Sequence, residues 1–331
     1  MKYQEVADIV SAAQHIVVLQ ADNPDGDSLG STLALEAILS DMGKTVTMVC
    51  NIDMPAHLKY LSGWDRVVKD IPHSFDATII VDTSTETLFE ATTNGLEWVK
   101  TKPVIVFDHH MDDSELSFAT VSVIEPVVAT SELIFNIANE LSWPLPVDAC
   151  EFMATSIMSD SLGLTTDATT PASFRVMAEL VERGVDLATL DAARRELMKK
   201  EPQLIPYKGE LLQRVTFEAE GRLATVVIPW KEIETYSPIY NPTMLVIDDM
   251  RMTVGVEAAI GYKVYQDGKI TGKIRCNYGS PIARDLAETF GGGGHPYAAG
   301  FKVLDGTPIE ELKKQVYEKA TELLDALEQE T

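Results

Sequence analysis

The chain has 331 residues, enough for two domains of ordinary size, and 45% of them are hydrophobic, which supports packed cores. Its 51 Asp and Glu outnumber 27 Lys and Arg, a formal charge of −24, so a broad electropositive surface for long nucleic acid is excluded and any anionic partner has to be met locally. Three widely spaced cysteines, Cys50, Cys150 and Cys276, argue against a disulfide framework or a cysteine zinc site. With no signal-like start and no apolar run near the ~20 residues of a membrane span, the expectation is a cytoplasmic protein without a membrane partner.

In chain order, β-rich apolar runs at 15–20, 45–50, 77–81 and 103–107 alternate with helical spacing at 29–42 and 131–141. Such alternation predicts an α/β domain with a mostly parallel sheet covered by helices. Residues 151–200 have helical spacing, punctuated by Thr170-Pro171 and Gly184-Val185-Asp186, and no Gly/Ser-rich linker intervenes. Strands are then expected at 223–229, 253–265 and 270–276, followed by a helix capped near Ser280-Pro281 and a terminal amphipathic helix at 307–328. That pattern predicts a smaller α+β domain. The expected division is 1–190, a helical linker at 191–205, and 206–331.

In parallel sheets, polar residues just past the carboxyl ends of strands face a ligand crevice. This sequence puts acids there: Asp25 and Asp27 after the first strand, Asp82 at the end of the third, and Asp108-His109-His110 at the end of the fourth. Two acids at i and i+2 on a tight turn can each present an oxygen to a different cation, although an N-cap accounts for this segment equally well. An acid and two imidazoles together supply metal ligands and a proton donor. Asp160 follows the apolar run 152–158, where an acid is costly unless paired or bound to a cation.

Taken together, Asn-Pro-Asp-Gly-Asp at 23–27, Val-Asp-Thr-Ser at 81–84, Asp-His-His at 108–110 and Ser-Asp-Ser at 159–161 resemble, in order and spacing, the four motifs of the DHH phosphoesterase superfamily. That superfamily includes RecJ nucleases, family II pyrophosphatases and NrnA-like oligoribonuclease/pAp phosphatases, and the pattern is most similar to the last. Gly291-Gly292-Gly293-Gly294-His295-Pro296-Tyr297-Ala298-Ala299-Gly300 resembles the signature of the associated DHHA1 substrate domain. The resemblance implies a DHH domain with a parallel sheet, a DHHA1 domain, and two Mn²⁺-class ions. Asp82 would bridge the ions, Asp25 would hold the first, and Asp27, His109 and Asp160 the second. Asp108 would orient a histidine ring and His110 would face the scissile phosphate.

The resemblance departs at one position. The family pattern carries a histidine four residues before the first aspartate, where this chain has Ala21, so the first metal site is expected to be the weaker.

On the substrate side, Gly292, Gly293 and Gly294 would let main-chain N–H groups approach an anion, with His295 adjacent and Arg275 able to fork onto a phosphate. Between 261 and 302 the six cations Lys263, Lys269, Lys273, Arg275, Arg284 and Lys302 face three acids, a local excess in a strongly acidic chain. A pocket for short oligonucleotides or nucleotide phosphates is expected, not a track for long strands, with a homodimer as a further candidate assembly. Two functions follow from the resemblance. One is a metal-dependent phosphodiesterase acting on short oligoribonucleotides, linear dinucleotides and 3′-phosphoadenosine 5′-phosphate. The other is a nucleotide-binding regulatory protein whose catalysis is weakened at Ala21.

Overall fold

The computed structural model describes residues 2–89, 93–111 and 116–330, and the chain divides into two compact units, 1–199 and 200–331. The segment expected as a linker, 191–205, holds the end of one helix, a non-helical stretch at 199–203 and the start of the next helix.

The first unit runs α1 (Lys2–Ala12), β1 (His15–Leu19), α2 (Gly26–Asp41), β2 (Thr45–Val49), β3 (Ala77–Val81), α3 (Thr93–Val99), β4 (Val104–Asp108), β5 (Val121–Ile124), α4 (Thr130–Glu140), α5 (Val147–Asp160), α6 (Pro171–Glu182) and α7 (Leu187–Met198). All five strands are parallel, in the order β2-β1-β3-β4-β5. β3 and β4 are buried at every position, as expected of central strands covered on both faces. Side-chain alternation sorts Ile16, Val18, Ile79 and Phe107 onto the face packed by α2, α4 and α5, and Val17, Leu19, Ile80 and Val106 onto the opposite face with Leu96 and Val99 of α3.

The strand order reverses direction between β1 and β3, and the crevice outside the carboxyl ends at such a switch point is where open α/β sheets take ligands. α2 and α5 pack unusually close above it. A Cβ added at Gly26 would lie 2.1 Å from Ser159 Oγ, and one at Gly30 would lie 2.7 Å from Ser156 Cβ. Two glycines one helical turn apart therefore bring the N-terminus of α2 against the C-terminal half of α5. Truncating Leu33, fully buried on α2, would cost about 2–5 kcal/mol.

The second unit runs α8 (Leu204–Gln213), β6 (Thr216–Glu218), β7 (Leu223–Ile228), α9 (Trp230–Tyr236), α10 (Pro242–Arg251), β8 (Ala258–Val264), β9 (Ile270–Cys276), α11 (Ala283–Thr289), β10 (Gly293–His295), β11 (Ala298–Val303) and α12 (Ile309–Glu330). Its mixed sheet has the order β10-β11-β9-β8-β7-β6, antiparallel except for the β7–β8 pair. One face carries α11 and α12, the latter through Leu312, Val316, Ala320 and Leu324 at four-residue spacing; the other carries α8, α9 and α10.

Three details differ from the sequence expectation. The strand expected from 253 begins only at Ala258, because the chain leaves α10 through a turn with Gly255 at φ +84°. β5 and β6 were not expected; they are four and three residues long, too short for a periodic signal. The helical stretch from 151 is interrupted after Asp160 by a loop in which Leu162, Gly163 and Leu164 all have positive φ.

Candidate metal centre and anion pocket

The site in the first unit is assembled at the ends of β1, β3 and β4 and the C-terminus of α5. Asp25 caps α2: its Oδ1 accepts the N–H groups of Asp27 and Ser28, both at 3.0 Å, while Ser28 Oγ accepts the Asp25 N–H at 2.9 Å. This reciprocal box starts α2 at Gly26, earlier than apolar spacing alone suggested.

Asp27, one turn inside, is 1% exposed. Its Oδ2 accepts the Thr130 N–H at 2.7 Å, and its Oδ1 accepts from Ser31 Oγ at 3.0 Å, from the Ser131 N–H at 3.4 Å and from Ser156 Oγ. The N-cap of α4 is Ala129, which has no side chain to satisfy the first N–H groups of that helix. Asp27 does so from α2, and the helix terminus in turn favours the carboxylate.

Asp82 leaves β3 in the left-handed region, φ 61°, an uncommon conformation for a residue with a Cβ and one that collects at functional sites. Its N–H donates to Phe107 O at 2.9 Å and its Oδ1 accepts from Thr130 Oγ1 at 3.3 Å. Burial and then the nearby charges of Asp27 and Asp25 push its carboxyl well above the usual carboxylate range. Asp160 is pushed up to about 6, by burial first and then by Asp27.

The two histidines differ. His110 gives Nδ1 to Asp108 Oδ1 at 2.8 Å, and that hydrogen bond raises the imidazole above its ordinary range despite burial. Asp108, fully buried, also accepts the His109 and His110 N–H groups at 2.8 and 3.1 Å. Burial raises the Asp108 carboxyl, but the bonds from His110 outweigh it and leave the group lowered. His109 instead turns Nδ1 to Val127 O at 3.2 Å. A carbonyl only accepts, so Nδ1 carries a proton, and in the neutral ring Nε2 presents a lone pair.

That Nε2 is buried without a hydrogen-bond partner, 3.6 Å from Asp82 Oδ1, 3.6 Å from Asp160 Oδ2 and 3.7 Å from Asp27 Oδ2. One lone pair facing three carboxylates has nothing to bond to unless a cation lies among them, and separations of this size suit neighbouring ligands held at about 2.0–2.2 Å from one small ion. Imidazole with carboxylates is a donor set for Mn²⁺-class metals. Two overlapping triads form: Asp27, His109 and Asp160, and Asp82, His109 and His110. Asp25 belongs to neither, though its charge is felt at both Asp82 and Asp160. Ala21 is buried, its carbonyl accepting Cys50 Sγ at 3.5 Å.

In the second unit, a cavity of about 620 Å³ is lined by Asn241, the N-cap of α10, Thr243 of α10, Gly261 and Lys263 on β8, Tyr265 just past it, Thr271, Lys273 and Arg275 on β9, Gly291–Gly294, and Ala298–Lys302. Strand register aligns Gly261, Lys273 and Gly300 across three strands, so glycines flank the Lys273 side chain and leave the floor hollow. Burial lowers both Lys263 and Lys273, each further disfavoured by a neighbouring cation, and burial lowers Arg275. Among the described residues no ion pair joins Lys263, Lys273 or Arg275 to a carboxylate, and the N-terminus of α10 adds partial positive charge.

The expected residues Arg275, Gly292, Gly293 and Gly294 all line this cavity; His295 is exposed at the end of β10 and does not. Gly292 has a tighter reason than anion approach, since a Cβ there would lie 2.2 Å from Gly300 O. Lys263 and Lys273 were counted in the local cation excess but not singled out; the signal was the alternation Thr271, Lys273, Arg275, which puts all three on one face. The hydroxyl and backbone partners of Asp27 on α4 and α5 had no sequence signal.

A doubly covered parallel sheet with a carboxylate–imidazole centre at its switch point in one unit, and a cationic glycine-floored pocket in the other, define a metal-dependent phosphoesterase class. Residues 15–157 match the model of the DHH family, N-terminal domain, and residues 240–330 match the DHHA1 domain. The chain belongs to the DHH/DHHA1 phosphoesterase superfamily. It is 26% identical over 330 residues, 98% of its length and 94% of the relative's, to the bifunctional oligoribonuclease and PAP phosphatase NrnA of Thermus thermophilus. Among solved structures it resembles an exopolyphosphatase-related protein from Bacteroides fragilis, with a TM-score of 0.84, 20% identity and coverage of 98% and 97% of the two chains. RecJ of Thermus thermophilus in complex with Mn²⁺ shares the fold at a TM-score of 0.53 and 17% identity, over 97% of this chain and 54% of that one.

Proposed function

We propose that the chain hydrolyses short oligoribonucleotides and linear dinucleotides, with 3′-phosphoadenosine 5′-phosphate as a second substrate, in a reaction that depends on two Mn²⁺-class ions. The observation that carries this is His109 Nε2, buried and unpartnered among three carboxylate oxygens. Asp27, His109 and Asp160 would hold one ion, Asp25 the other, and Asp82 both. When bound, the ions supply positive charge that offsets the negative charge growing on the phosphoryl group. Asp108 keeps the proton of His110 on Nδ1, so Nε2 of that half-exposed ring is the atom that exchanges a proton with substrate. Arg275, Lys263 and Lys273 bind phosphate oxygens. The acidic charge of the chain favours a short ligand over a long strand, and the name of the Thermus relative supports the same substrate class.

A second reading rests on Ala21, which places a buried methyl group where the family pattern has an imidazole: a nucleotide-binding regulatory protein with little turnover. Purified protein with Mn²⁺ is given a 5′-phosphorylated dinucleotide, 3′-phosphoadenosine 5′-phosphate or pyrophosphate, and dinucleotide binding is measured in parallel. Turnover of the first two supports the hydrolase. Tight binding without turnover supports the regulatory reading, and turnover of pyrophosphate alone overturns both.

A further inference from the structure

The two oxygens of the Asp27 carboxylate are bonded unequally. Oδ1 receives three donors: Ser31 Oγ at 3.0 Å, the Ser131 N–H at 3.4 Å and Ser156 Oγ. Ser131 Oγ also lies 2.8 Å from Ser31 Oγ, and because a hydroxyl has a single proton, which Ser31 gives to Asp27, Ser131 is the donor of that pair. All three serines are fully buried. Ser156 reaches Asp27 from α5, 129 positions along the chain, through the close approach of the two helices at Gly30, where a Cβ would lie 2.7 Å from Ser156 Cβ.

Oδ2 accepts the Thr130 N–H at 2.7 Å and faces His109 Nε2 at 3.7 Å. A carboxylate oxygen offers about two lone pairs, so three donors fill Oδ1 while Oδ2 keeps one for a cation. The neighbouring threonines show that this is a choice of direction. Thr32, beside Ser31, turns its hydroxyl back to Ser28 O at 2.8 Å, and Thr155, beside Ser156, turns its own to Glu151 O at 2.9 Å, the local bond that a hydroxyl inside a helix commonly makes. Ser31 and Ser156 point to the carboxylate instead.

We propose that Ser31, Ser131 and Ser156 are positioning residues that hold Asp27 as a one-oxygen ligand and thereby set the centre's choice of metal, favouring small six-coordinate ions over Ca²⁺. This rests on the metal-centre reading of the site. Ca²⁺ takes about 6–8 oxygens at ~2.3–2.6 Å and often draws both oxygens of one carboxylate, whereas smaller divalent ions take fewer ligands at shorter range. A carboxylate with one oxygen closed by hydroxyls suits the second kind of ion. The serines touch Asp27 and not the ion, so they act through the ligand that they orient.

The test is calorimetric titration of the full-length chain, stripped of metal with EDTA, with MnCl₂ and with CaCl₂. The wild type is expected to bind Mn²⁺ more tightly than Ca²⁺. Ser31→Ala/Ser156→Ala leaves Oδ1 with the Ser131 N–H alone and should lower that preference about tenfold, whereas Thr32→Val should leave it unchanged. Each single serine variant should move it part of the way, and serves where the double variant does not fold, as judged by its metal-free Tm. A preference that stays at the wild-type value in the serine variants, an equal loss of affinity for both ions, the same shift in Thr32→Val, or a wild type that prefers Ca²⁺ overturns the serine assignment and leaves the metal centre standing. If the wild type binds neither ion, the metal-centre reading falls and the assignment falls with it.

Discussion

The two units solve opposite electrostatic problems. The first gathers Asp27, Asp82 and Asp160 around one unpartnered imidazole nitrogen with Asp25 nearby, and the repulsion is visible in the raised carboxyls of Asp82 and Asp160. The second gathers Lys263, Lys273 and Arg275 on a floor of glycines, and burial lowers all three. Among the described residues, no Lys or Arg pairs with the first set and no Asp or Glu pairs with the second. A surplus of charge that costs folded-state stability persists where something outside the chain completes it, a cation in one unit and an anion in the other.

The largest expected effect is at Asp82, placed against both triads. Asp82→Asn should lower kcat/KM on a dinucleotide on the order of 10³-fold and reduce bound Mn²⁺, measured together by hydrolysis and metal analysis. It should also make the metal-free protein more stable by roughly 1–3 kcal/mol in urea, since a buried, repelled carboxylate is removed without loss of shape. Wild-type turnover with full metal content would break the contrast between the units.

Next is the cationic side. Arg275→Ala should raise KM for a dinucleotide about 10- to 100-fold with metal content unchanged. Lys302→Ala, exposed at the cavity rim, should change it less than about threefold, and His295→Ala should fall between. A fall in bound metal in Arg275→Ala would show that the two charge sets do not act separately.

Within the metal centre, Asp27 and Asp160 should part company in the metal-free protein. Asp27→Ala leaves the start of α4 uncapped and should cost about 2–4 kcal/mol, whereas Asp160→Asn should leave Tm unchanged or raised; both should lose metal. The sign of the pH dependence follows from Asp160, whose folded value of about 6 lies above its ordinary 3.8. The folded state binds the extra proton between those values, so metal-free stability contributed by this group is present below about pH 4 and lost as pH rises to about 6. The increase in Tm on adding Mn²⁺ should therefore be larger at pH 7.5 than at pH 5; an equal increase at both would remove Asp160 from the metal site.

The smallest effect is expected at Ala21, where Ala21→His should tighten Mn²⁺ binding at the weaker site severalfold and raise turnover at limiting Mn²⁺. A Mn²⁺ titration unchanged by the substitution would mean that position 21 does not face the ion.

How much of this could be read along the chain depends on how local its cause is. The parallel sheet was legible because β1 to β4 are apolar runs bounded by turns, and the Asp-Gly-Asp, Asp-His-His and Ser-Asp-Ser motifs because strand ends and helix starts place their residues by short-range geometry. The same logic found Arg275 and the glycines. What escaped was non-local. That Asp27 caps α4, that Gly26 and Gly30 let α2 meet Ser159 and Ser156, and that Lys273 lies between Gly261 and Gly300 all depend on residues about a dozen to more than a hundred positions away. The sequence alone determined which chemistry is present, because residue type and local turn decide whether a carboxylate or an imidazole ends a strand. Only the tertiary structure decided which of those groups meet, and that His109 rather than His110 buries its Nε2 among three carboxylates, because those facts rest on packing and register between segments that the order of residues does not bring together.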